Sequence, residues 1–345
     1  MKMMKAAAIC IAAIVMWSAS CKDTTSSKDN VSGPDKSELV VGFYNVENIF
    51  DTENDPKTND DDFTPSGKLQ WTPDKYLVKL DRTGEAFQMM DANFPDVIGL
   101  CEVENLKVLT DLVATDRLKS QGYKIVHMDS EDERGIDVAL IYKASSIEVV
   151  SSKKIKVSLA DANDRTRDIL YVEGVVHGEK IHFFVNHWPS RSGGQEQSEP
   201  NRIAAAKTLK SEIDVIVKKD ANAKVICMGD FNDHPNDKSM MEALGANGTV
   251  GAPLINLMAK KHAAGEGSYW YKGSWGALDQ FIVSSAWTSM KGWSCTEADA
   301  RIVKEPKLLF TDSNGVARPS RTYAGDDYKS GYSDHLPVVV KCSWK

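Results

Sequence analysis

The chain has 345 residues, of which 42% are hydrophobic and 26% are charged, a composition typical of globular proteins. Its formal net charge of −7 excludes nucleic-acid binding through an overall positive field, so any such contact must be local or bridged by metal ions. The length allows either two average domains or one large two-sheet enzyme domain.

The first twenty residues have the pattern of an export signal. Two lysines are their only charged residues, and the apolar run over 6–17 is too short to span a bilayer. Small residues then precede Cys21, which resembles the lipobox of bacterial lipoproteins, although Ser18 stands where a larger aliphatic residue is usual. We therefore expect a signal peptide over 1–20 and a lipid on Cys21, giving an outer-membrane or cell-surface protein. A soluble periplasmic or secreted protein is the alternative.

The rest of the chain alternates between two apolar patterns after a polar tether over 21–38. Short apolar runs predict strands, and these cover 39–46, 97–101, 136–142, 169–176, 181–185, 225–228, 278–283 and 336–340. Helical spacing of apolar residues predicts three helices, marked by Leu77, Leu80, Phe87 and Met90; Leu106, Leu109 and Val113; and Ile203, Ala206, Leu209, Ile213 and Ile216. The alternation indicates mixed sheets covered by helices. Two long stretches, 51–74 and 304–333, match neither pattern, and loops of this length are usually functional or mobile.

Four cysteines follow the tether, and none has the paired spacing of a zinc site. Cys101 and Cys227 lie in apolar strand patterns, which predicts buried free thiols. Cys295 and Cys342 flank the C-terminal region and could form a disulfide in an oxidising compartment. The sequence leaves that pairing open.

Polar residues suited to Mg²⁺ and phosphate follow several predicted strands. Asn45 and Glu47 end the first strand and face the same way, because side chains alternate along a strand. Glu102 follows the second strand, where a rigid strand end would hold its carboxylate. Mg²⁺ takes few protein carboxylates and leaves its other positions to water and phosphate oxygens. Taken singly, these residues are equally typical of an Asx turn or a solvated strand end.

Two later strands lead to groups that act on water or on a phosphoryl oxygen. The strand over 181–185 is followed by His187 and by a flexible loop with Arg191. The strand over 225–228 leads to Asp230, which can orient or deprotonate water, and to Asn232, whose amide can donate to a phosphoryl oxygen.

The last two strand patterns add an acid and a histidine. Asp279 interrupts an apolar strand, where a carboxylate must be partnered, and histidine is the natural partner. Asp334 and His335 directly precede the final strand. One of them can ligate a metal while the other exchanges a hydrogen bond or a proton with the phosphoryl group.

Six short motifs occur in order along the chain: NVEN, LCEVEN, NHW, GDFN, LDQFIVS and SDHLPV. This set resembles the endonuclease/exonuclease/phosphatase family, which includes pancreatic deoxyribonuclease, abasic-site endonucleases, sphingomyelinases and inositol polyphosphate 5-phosphatases. The opening FYNVENIFD resembles a bacterial branch described as extracellular nucleases or phosphatases. The similarity covers roughly 39–345. It implies one domain with a deoxyribonuclease-like α/β (α+β) fold, a four-layer sandwich of two packed mixed β-sheets flanked by helices.

The resemblance also implies a role for each of these residues. The metal would lie on Glu102 with Asn45 beside it, and Glu47 and Asp334 would be further acids of the metal site. The catalytic groups would be Asp230 activating water, Asn232 donating to the phosphate, His335 at the phosphate, Asp279 orienting His335, and His187 as a second histidine. Arg167 resembles a phosphate-contacting arginine, and Arg191 is a further candidate. The acid that would support His187 is not placed, with Asp129 and Glu133 as the candidates.

The mechanism implied is in-line attack of water on phosphorus with Mg²⁺ as the cofactor, for which Mn²⁺ or Ca²⁺ could substitute. Three hypotheses follow for the substrate. The first is a phosphodiesterase on nucleic acid or nucleotides. The second is a phosphatase or phospholipase-like enzyme on phosphorylated lipids, inositides or sugars, and the third is a non-catalytic surface binding protein. No obligate protein partner is indicated, and the membrane would be reached through the lipid anchor.

Two groups of residues bear on substrate choice. Local arginines, of which Arg167, Arg191 and Arg202 are candidates, could hold a backbone phosphate despite the acidic chain. The aromatic residues over 268–275 could stack a base or a sugar, although a partly buried cluster that closes a loop is the commoner arrangement; they are Tyr269, Trp270, Tyr271 and Trp275.

Overall fold

The structure is a computed structural model that describes residues 36–159, 161, 164–247, 252–289 and 291–345. The expected signal peptide, Cys21 and most of the tether lie outside these residues. No helix in the described part of the chain is long and apolar enough to cross a membrane.

Strands and helices account for most of the described chain. In chain order the strands are β1 (Glu38–Ile49), β2 (Val97–Val103), β3 (Tyr123–His127), β4 (Asp137–Lys143), β5 (Glu148–Ile155), β6 (Ile169–Val176), β7 (Glu179–His187), β8 (Lys224–Asp230), β9 (Leu254–Asn256), β10 (Tyr269–Tyr271), β11 (Ser274–Gly276), β12 (Asp279–Ser284), β13 (Trp293–Ser294), β14 (Ala300–Ile302), β15 (Leu309–Thr311), β16 (Ala317–Pro319), β17 (Tyr323–Ala324), β18 (Asp327–Tyr328) and β19 (Val338–Trp344). The α-helices are α1 (Pro73–Met90), α2 (Leu106–Ala114), α3 (Gln195–Lys219) and α4 (Ala259–Ala263). Short 3₁₀ and π turns cover Asp61–Phe63, Ser239–Leu244, Ser285–Thr288 and Pro306–Leu308.

Two large mixed sheets form the centre of the described residues. The first has the order β13-β19-β1-β2-β4-β3, with β14 also on β19, and the second has the order β5-β6-β7-β8-β12-β9. The pairs β1–β2 and β7–β8 are parallel, and their neighbours are antiparallel. Both sheets are therefore mixed, as the sequence predicted.

The alternation of side chains along the strands separates two apolar cores. Phe183 and Val185 of β7 pack in the core between the two sheets, whereas Phe184 packs on the outer face with Leu209 and Ile213 of α3. Helices α1 and α2 cover the outer face of the first sheet. The layers are helix, sheet, sheet, helix, which confirms the four-layer sandwich.

Helix faces and helix ends differ from the sequence prediction where local residue preferences do not determine them. The apolar spacing predicts that Leu77 and Leu106 lie on buried helix faces, but these side chains are 60% and 54% exposed. Helix α3 begins at Gln195, well before the predicted Ile203, and continues through Pro200. Pro200 is the sixth residue of α3, and because it has no backbone N–H the helix lacks the hydrogen bond to the carbonyl of Glu196.

The two unassigned stretches are ordered by contacts with the body of the fold. Over 51–74, Trp71 is fully buried and its Nε1 donates to the carbonyl of Phe50 at 2.9 Å. The second stretch, 304–333, forms two small hairpins, β15–β16 and β17–β18. All four cysteines in the described residues are buried free thiols, which confirms the prediction for Cys101 and Cys227.

Candidate active site

Three adjacent strands of the second sheet place three site residues side by side. Asp230 is the last residue of β8, and it lies in register with His187 on parallel β7 and with Asp279 on antiparallel β12. All three are at least 96% buried. The register of these strands therefore brings together an imidazole and two carboxylates at one end of the sheet.

The first sheet meets this row through Asn45 and Glu102 on neighbouring strands. The Asn45 amide donates to Asp230 Oδ2 at 3.1 Å and to Glu102 Oε1 at 3.4 Å. The register of β1 and β2 shifts beyond Asn45, and that of β2 and β4 shifts at Glu102. Such irregularities turn a side chain away from the regular pleat, and they are frequent beside active sites.

Three candidate residues adopt left-handed backbone conformations, with φ of 52° at Glu47, 63° at Glu102 and 52° at Asn232. Non-glycine residues rarely occupy this region, and holding one there costs about 1–3 kcal/mol. The surrounding contacts must stabilise these conformations, as they commonly do at functional sites. One such contact is made by the backbone N–H of Asn232, which donates to Asp230 Oδ1 at 2.9 Å.

His335 lies between two buried carboxylates. Its Nδ1 is 2.7 Å from Asp279 Oδ2, and its Nε2 is 3.7 Å from Asp230 Oδ2. Ser268 Oγ also donates to Asp279 Oδ2 at 2.5 Å. Burial by itself lowers the pKa of His335, but the charges of Asp279 and Asp230 outweigh it and raise the pKa well above the usual range. His335 is therefore an imidazolium near neutral pH.

His187 has the opposite protonation state. Burial and the nearby charges of Arg167 and Arg134 hold its pKa well below the usual value, so the ring is neutral. Its Nε2 lies 3.8 Å from Glu102 Oε1 and 3.9 Å from Asp230 Oδ2. Its Nδ1 is buried without a hydrogen-bond partner in the described residues.

The two acids considered as partners of His187 do not hydrogen-bond to it. Asp129 instead lies 3.8 Å from Nδ1 of another histidine, His127. His127 Nε2 in turn is 2.9 Å from Asp137 at the start of β4. In the described residues no carboxylate hydrogen-bonds to His187 Nδ1, so the supporting acid that the sequence could not place is not found there.

Arg321 is a site residue that the sequence analysis missed. Its Nε lies 3.0 Å from Glu47 Oε1, and its Nη2 lies 3.2 Å from Asp334 Oδ2. Glu47 also accepts the backbone N–H of Thr322 at 2.5 Å. The two acids expected to serve the metal site thus share one guanidinium. Arg321 belongs to the stretch 304–333, which has no strand or helix pattern. Its place in the sequence therefore did not indicate a site residue.

The other candidate arginines are occupied by the protein. Arg191 donates to Asp237, Asp233 and the carbonyl of Asn232 at 2.6, 3.1 and 2.7 Å. The geometry assigns Arg191 to bracing the loop that carries Asn232. Arg202 is fully buried with Asp233 at 2.7 Å, so the interpretation of Arg202 as a phosphate contact is wrong.

Arg167 is also largely committed. It pairs with Asp132 at 3.0 Å and donates to the carbonyl of Trp188 at 2.7 Å. Its Nε is buried without a partner in the described residues, so its role as a phosphate contact stays a prediction. The side-chain amide of Asn232 donates to the same Trp188 carbonyl at 2.9 Å. This shared acceptor places Arg167 and Asn232 beside the candidate centre.

The arrangement agrees with a comparison against known families. A model of the endonuclease/exonuclease/phosphatase family matches residues 40–343. The chain belongs to this family. No curated protein sequence matches it.

Solved structures share the fold at low sequence identity. An endonuclease/exonuclease/phosphatase family protein from Bacteroides thetaiotaomicron is 17% identical, with 89% of this chain and 98% of that chain covered and a TM-score of 0.56. A mannosyl-6-phosphatase from the same organism is 17% identical, with 89% and 100% covered and a TM-score of 0.54. TDP2 from D. rerio, complexed with a single-strand DNA product, is 14% identical, with 89% and 100% covered and a TM-score of 0.52.

Members of this family typically depend on a divalent metal, and the residues present fit one. Glu102 supplies a carboxylate whose side chain is 13% exposed. The side-chain nitrogen of Asn45 faces Glu102, and the Asn45 oxygen accepts the backbone N–H of Glu47. Hard oxygen donors of this kind suit Mg²⁺. Donor atoms of Asp230, Asp279 and His335 also lie within 4.8 Å of one another. Because both nitrogens of His335 already face carboxylates, we assign these three residues to proton transfer and charge stabilisation.

The geometry predicts that Asp279 and His335 act as one unit. Asp279→Asn and His335→Ala should each lower kcat by about 10²–10⁴-fold with little change in KM, and the double variant should be scarcely worse than the poorer single variant. Asp279→Asn removes the charge that raises the pKa of His335, so the alkaline limb of the kcat profile should move to lower pH. Asp116→Asn, at a 97% exposed side chain, is the control. Losses that multiply in the double-mutant cycle, with an unmoved alkaline limb, would show that the residues are independent.

Proposed function

We propose that the protein is a metal-dependent phosphodiesterase that hydrolyses nucleic acid or nucleotides by in-line attack of water. The observation that carries this proposal is the placement of His187 and His335 on either side of Asp230, facing Glu102. The surroundings shift the pKa values of the two histidines in opposite directions, which is the pattern of paired acid–base groups.

Each residue has a role that follows from its contacts. A divalent ion at Glu102 and Asn45 would supply positive charge to the phosphoryl oxygens. Asp230, buried and held by two amides, orients the attacking water and accepts its proton. The imidazolium of His335 donates to a phosphoryl oxygen and offsets the negative charge that develops there. Asp279 keeps that ring protonated and fixes its orientation.

Two cavities flank this centre, which favours a diester over a monoester. A cavity of about 470 Å³ includes Asp334 and Tyr269, and Tyr269 pairs with His335 beside β12. A second cavity of about 390 Å³ includes Arg167 before β6 and Pro189 after β7. The order β6-β7-β8-β12 therefore puts the cavities on opposite sides of Asp230. A diester has organic groups on both sides of phosphorus and can use both cavities.

A phosphatase acting on a phosphorylated sugar, lipid or inositide is the second candidate function. The larger cavity has walls from three hairpins, β10–β11, β15–β16 and β17–β18, and such walls suit a compact substrate. The similar fold of a mannosyl-6-phosphatase and of TDP2 bound to a DNA product shows that both substrate classes occur on this scaffold.

A substrate panel separates the candidates. We expect Mg²⁺-dependent release of nitrophenol from bis-nitrophenyl phosphate and cleavage of plasmid DNA or RNA, with little release from mono-nitrophenyl phosphate. Monoester hydrolysis alone would support the phosphatase, and silence throughout would support a binding protein. Glu102→Gln should abolish turnover and weaken Mn²⁺ binding measured by calorimetry, whereas Glu148→Gln on the exposed face of β5 should do neither. Wild-type turnover by Glu102→Gln at limiting Mg²⁺ would exclude Glu102 as the metal carboxylate.

Arg321 sets an expectation for metal stoichiometry. Its guanidinium and the buried ammonium of Lys79 together offset the charges of Glu47 and Asp334, so these acids have less need of an ion, and we expect the wild-type protein to bind a single Mn²⁺. Arg321→Gln removes one of these two cations and should create a second, weaker Mn²⁺ site, measured by electron paramagnetic resonance. Arg318→Gln, whose partner is the distant Asp312, is the matched control. Two ions in the wild type, or an unchanged count in Arg321→Gln, would contradict this role.

We also propose that the protein is exported and anchored through a lipid on Cys21. The charged start, the short apolar run and the small residues before Cys21 support this proposal. Cys21→Ser should move the protein from the membrane fraction to the soluble fraction of the producing cell, while Ser18→Ala should not. Unchanged fractionation of Cys21→Ser would favour simple secretion.

A further inference from the structure

The larger cavity adjoins the catalytic histidine directly. The ring centroid of Tyr269 is 4.7 Å from that of His335, and the two residues form an isolated antiparallel bridge. Asp334, the neighbour of His335, also lines the cavity. A group attached to a phosphorus atom at His335 would therefore enter this cavity without crossing open solvent.

The cavity combines aromatic rings with cationic groups. Its rings are those of Tyr269, Trp270 and Phe310, and Phe310 is 53% exposed although it is a large apolar side chain. A second tyrosine, Tyr271, stacks on Tyr269 at 6.2 Å and is 57% exposed, so the row of rings that begins at His335 continues outward. Exposed flat rings in a concave site suit a ligand with a flat face of its own.

The charges of the cavity select for an anionic ligand. Arg318, Arg321 and Lys329 line it, against Asp334 as its carboxylate. Arg321 is held by Glu47 and Asp334 in the centre. Arg318 is 43% exposed in its pair with Asp312, and both side chains of the Lys329–Asp327 pair are exposed. Exposed ion pairs contribute little free energy, so a phosphate can displace these partners at small cost.

We propose that this cavity binds one nucleotide unit of the substrate, with its base on the aromatic residues and its next phosphate at Arg318 and Lys329. The inference rests on the proposed phosphodiesterase function. A volume of about 470 Å³ is within the range of pockets that enclose a small ligand. A sugar ring also stacks on aromatic side chains but has no flat face of its own, so the row of rings favours a base, and a lipid chain would need an uncharged lining. Rings together with cations match a base joined to a phosphate.

Binding without turnover tests the inference. The full mature protein in EDTA is titrated into fluorescein-labelled tetrathymidylate and into an abasic tetramer with the same phosphates, and anisotropy gives each Kd. We expect the abasic tetramer to bind about tenfold more weakly, since stacking on an aromatic side chain contributes at least that factor. Phe310→Ala should weaken the binding of tetrathymidylate to the level of the abasic tetramer, and the Kd of the abasic tetramer should not change. Phe310→Tyr should restore the binding of tetrathymidylate.

The phosphate part has its own variants. Arg318→Gln should weaken both tetramers, whereas Lys218→Gln on the exposed face of α3 should affect neither. Thymidine 5′-monophosphate should compete better than ribose 5-phosphate. Equal Kd values for the two tetramers, equal competition by the sugar phosphate, or no measurable binding at millimolar protein would overturn the proposal.

A parallel assay distinguishes this failure from failure of the proposed function. Hydrolysis of bis-nitrophenyl phosphate with Mg²⁺ is measured for the wild type and every variant. If the wild type hydrolyses the diester but shows no preference for bases, only the nucleotide inference is wrong. If it hydrolyses no diester, the proposed function is wrong, whatever the tetramers show. The far-UV circular dichroism spectrum of Phe310→Ala, compared with that of the wild type, shows whether the variant is folded.

Discussion

Compensation of buried carboxylates is the constraint on which the centre depends. Facing strand ends of two sheets bring Asp230, Asp279, Glu47 and Asp334 together, and burial raises the pKa of three of them, Glu47, Asp230 and Asp334. A buried carboxylate without a partner would be costly and would take up a proton instead. His335 compensates the acids of the second sheet, and Arg321 compensates those of the first. The hydrogen bonds around the centre, from Asn45, Ser268 and Thr322, complete this compensation.

The same fold gives two histidines opposite charges without changing their chemistry. His335 faces carboxylates on both nitrogens. His187 has carboxylates beside Nε2 only, its Nδ1 is buried without a partner in the described residues, and burial and the charges of Arg167 and Arg134 lower its pKa. Because β7 and β12 lie on either side of β8, the two rings approach Asp230 from opposite sides. Strand order thus places His335 and His187 on different sides of Asp230. A shift of one residue in register would exchange inward and outward side chains.

The parts of this site that the sequence predicts are those attached to strands. Apolar runs that end in Asn45, Glu102, Asp230 and Asp279 indicate both the strand and the side chain at its end, because burial of a strand has a local pattern. Arg321 and the hairpins over 304–333 have no such pattern, since their positions depend on contacts with residues far away in the chain, such as Glu47. Leu77 and Leu106 show the converse error, in which local spacing indicated burial but no neighbouring element covered the side chain. Arg191 and Arg202 are candidates for phosphate contact by sequence, but Arg191 pairs with Asp233 and Asp237, and Arg202 pairs with Asp233.

The division between site residues on strands and cavity walls on hairpins has a physical basis, and that basis also bears on substrate specificity. Chemistry needs groups held within tenths of an ångström, and a strand inside a sheet provides that through its hydrogen-bond ladder on both sides. Substrate choice needs a wall that can differ between enzymes without disturbing the centre, and short hairpins outside the two large sheets provide it. The bridge between Tyr269 and His335 joins the two parts, since one residue belongs to a hairpin of the wall and the other to the centre. A change of substrate can therefore arise in the hairpins while the charge compensation of Asp230, Asp279 and His335 stays intact.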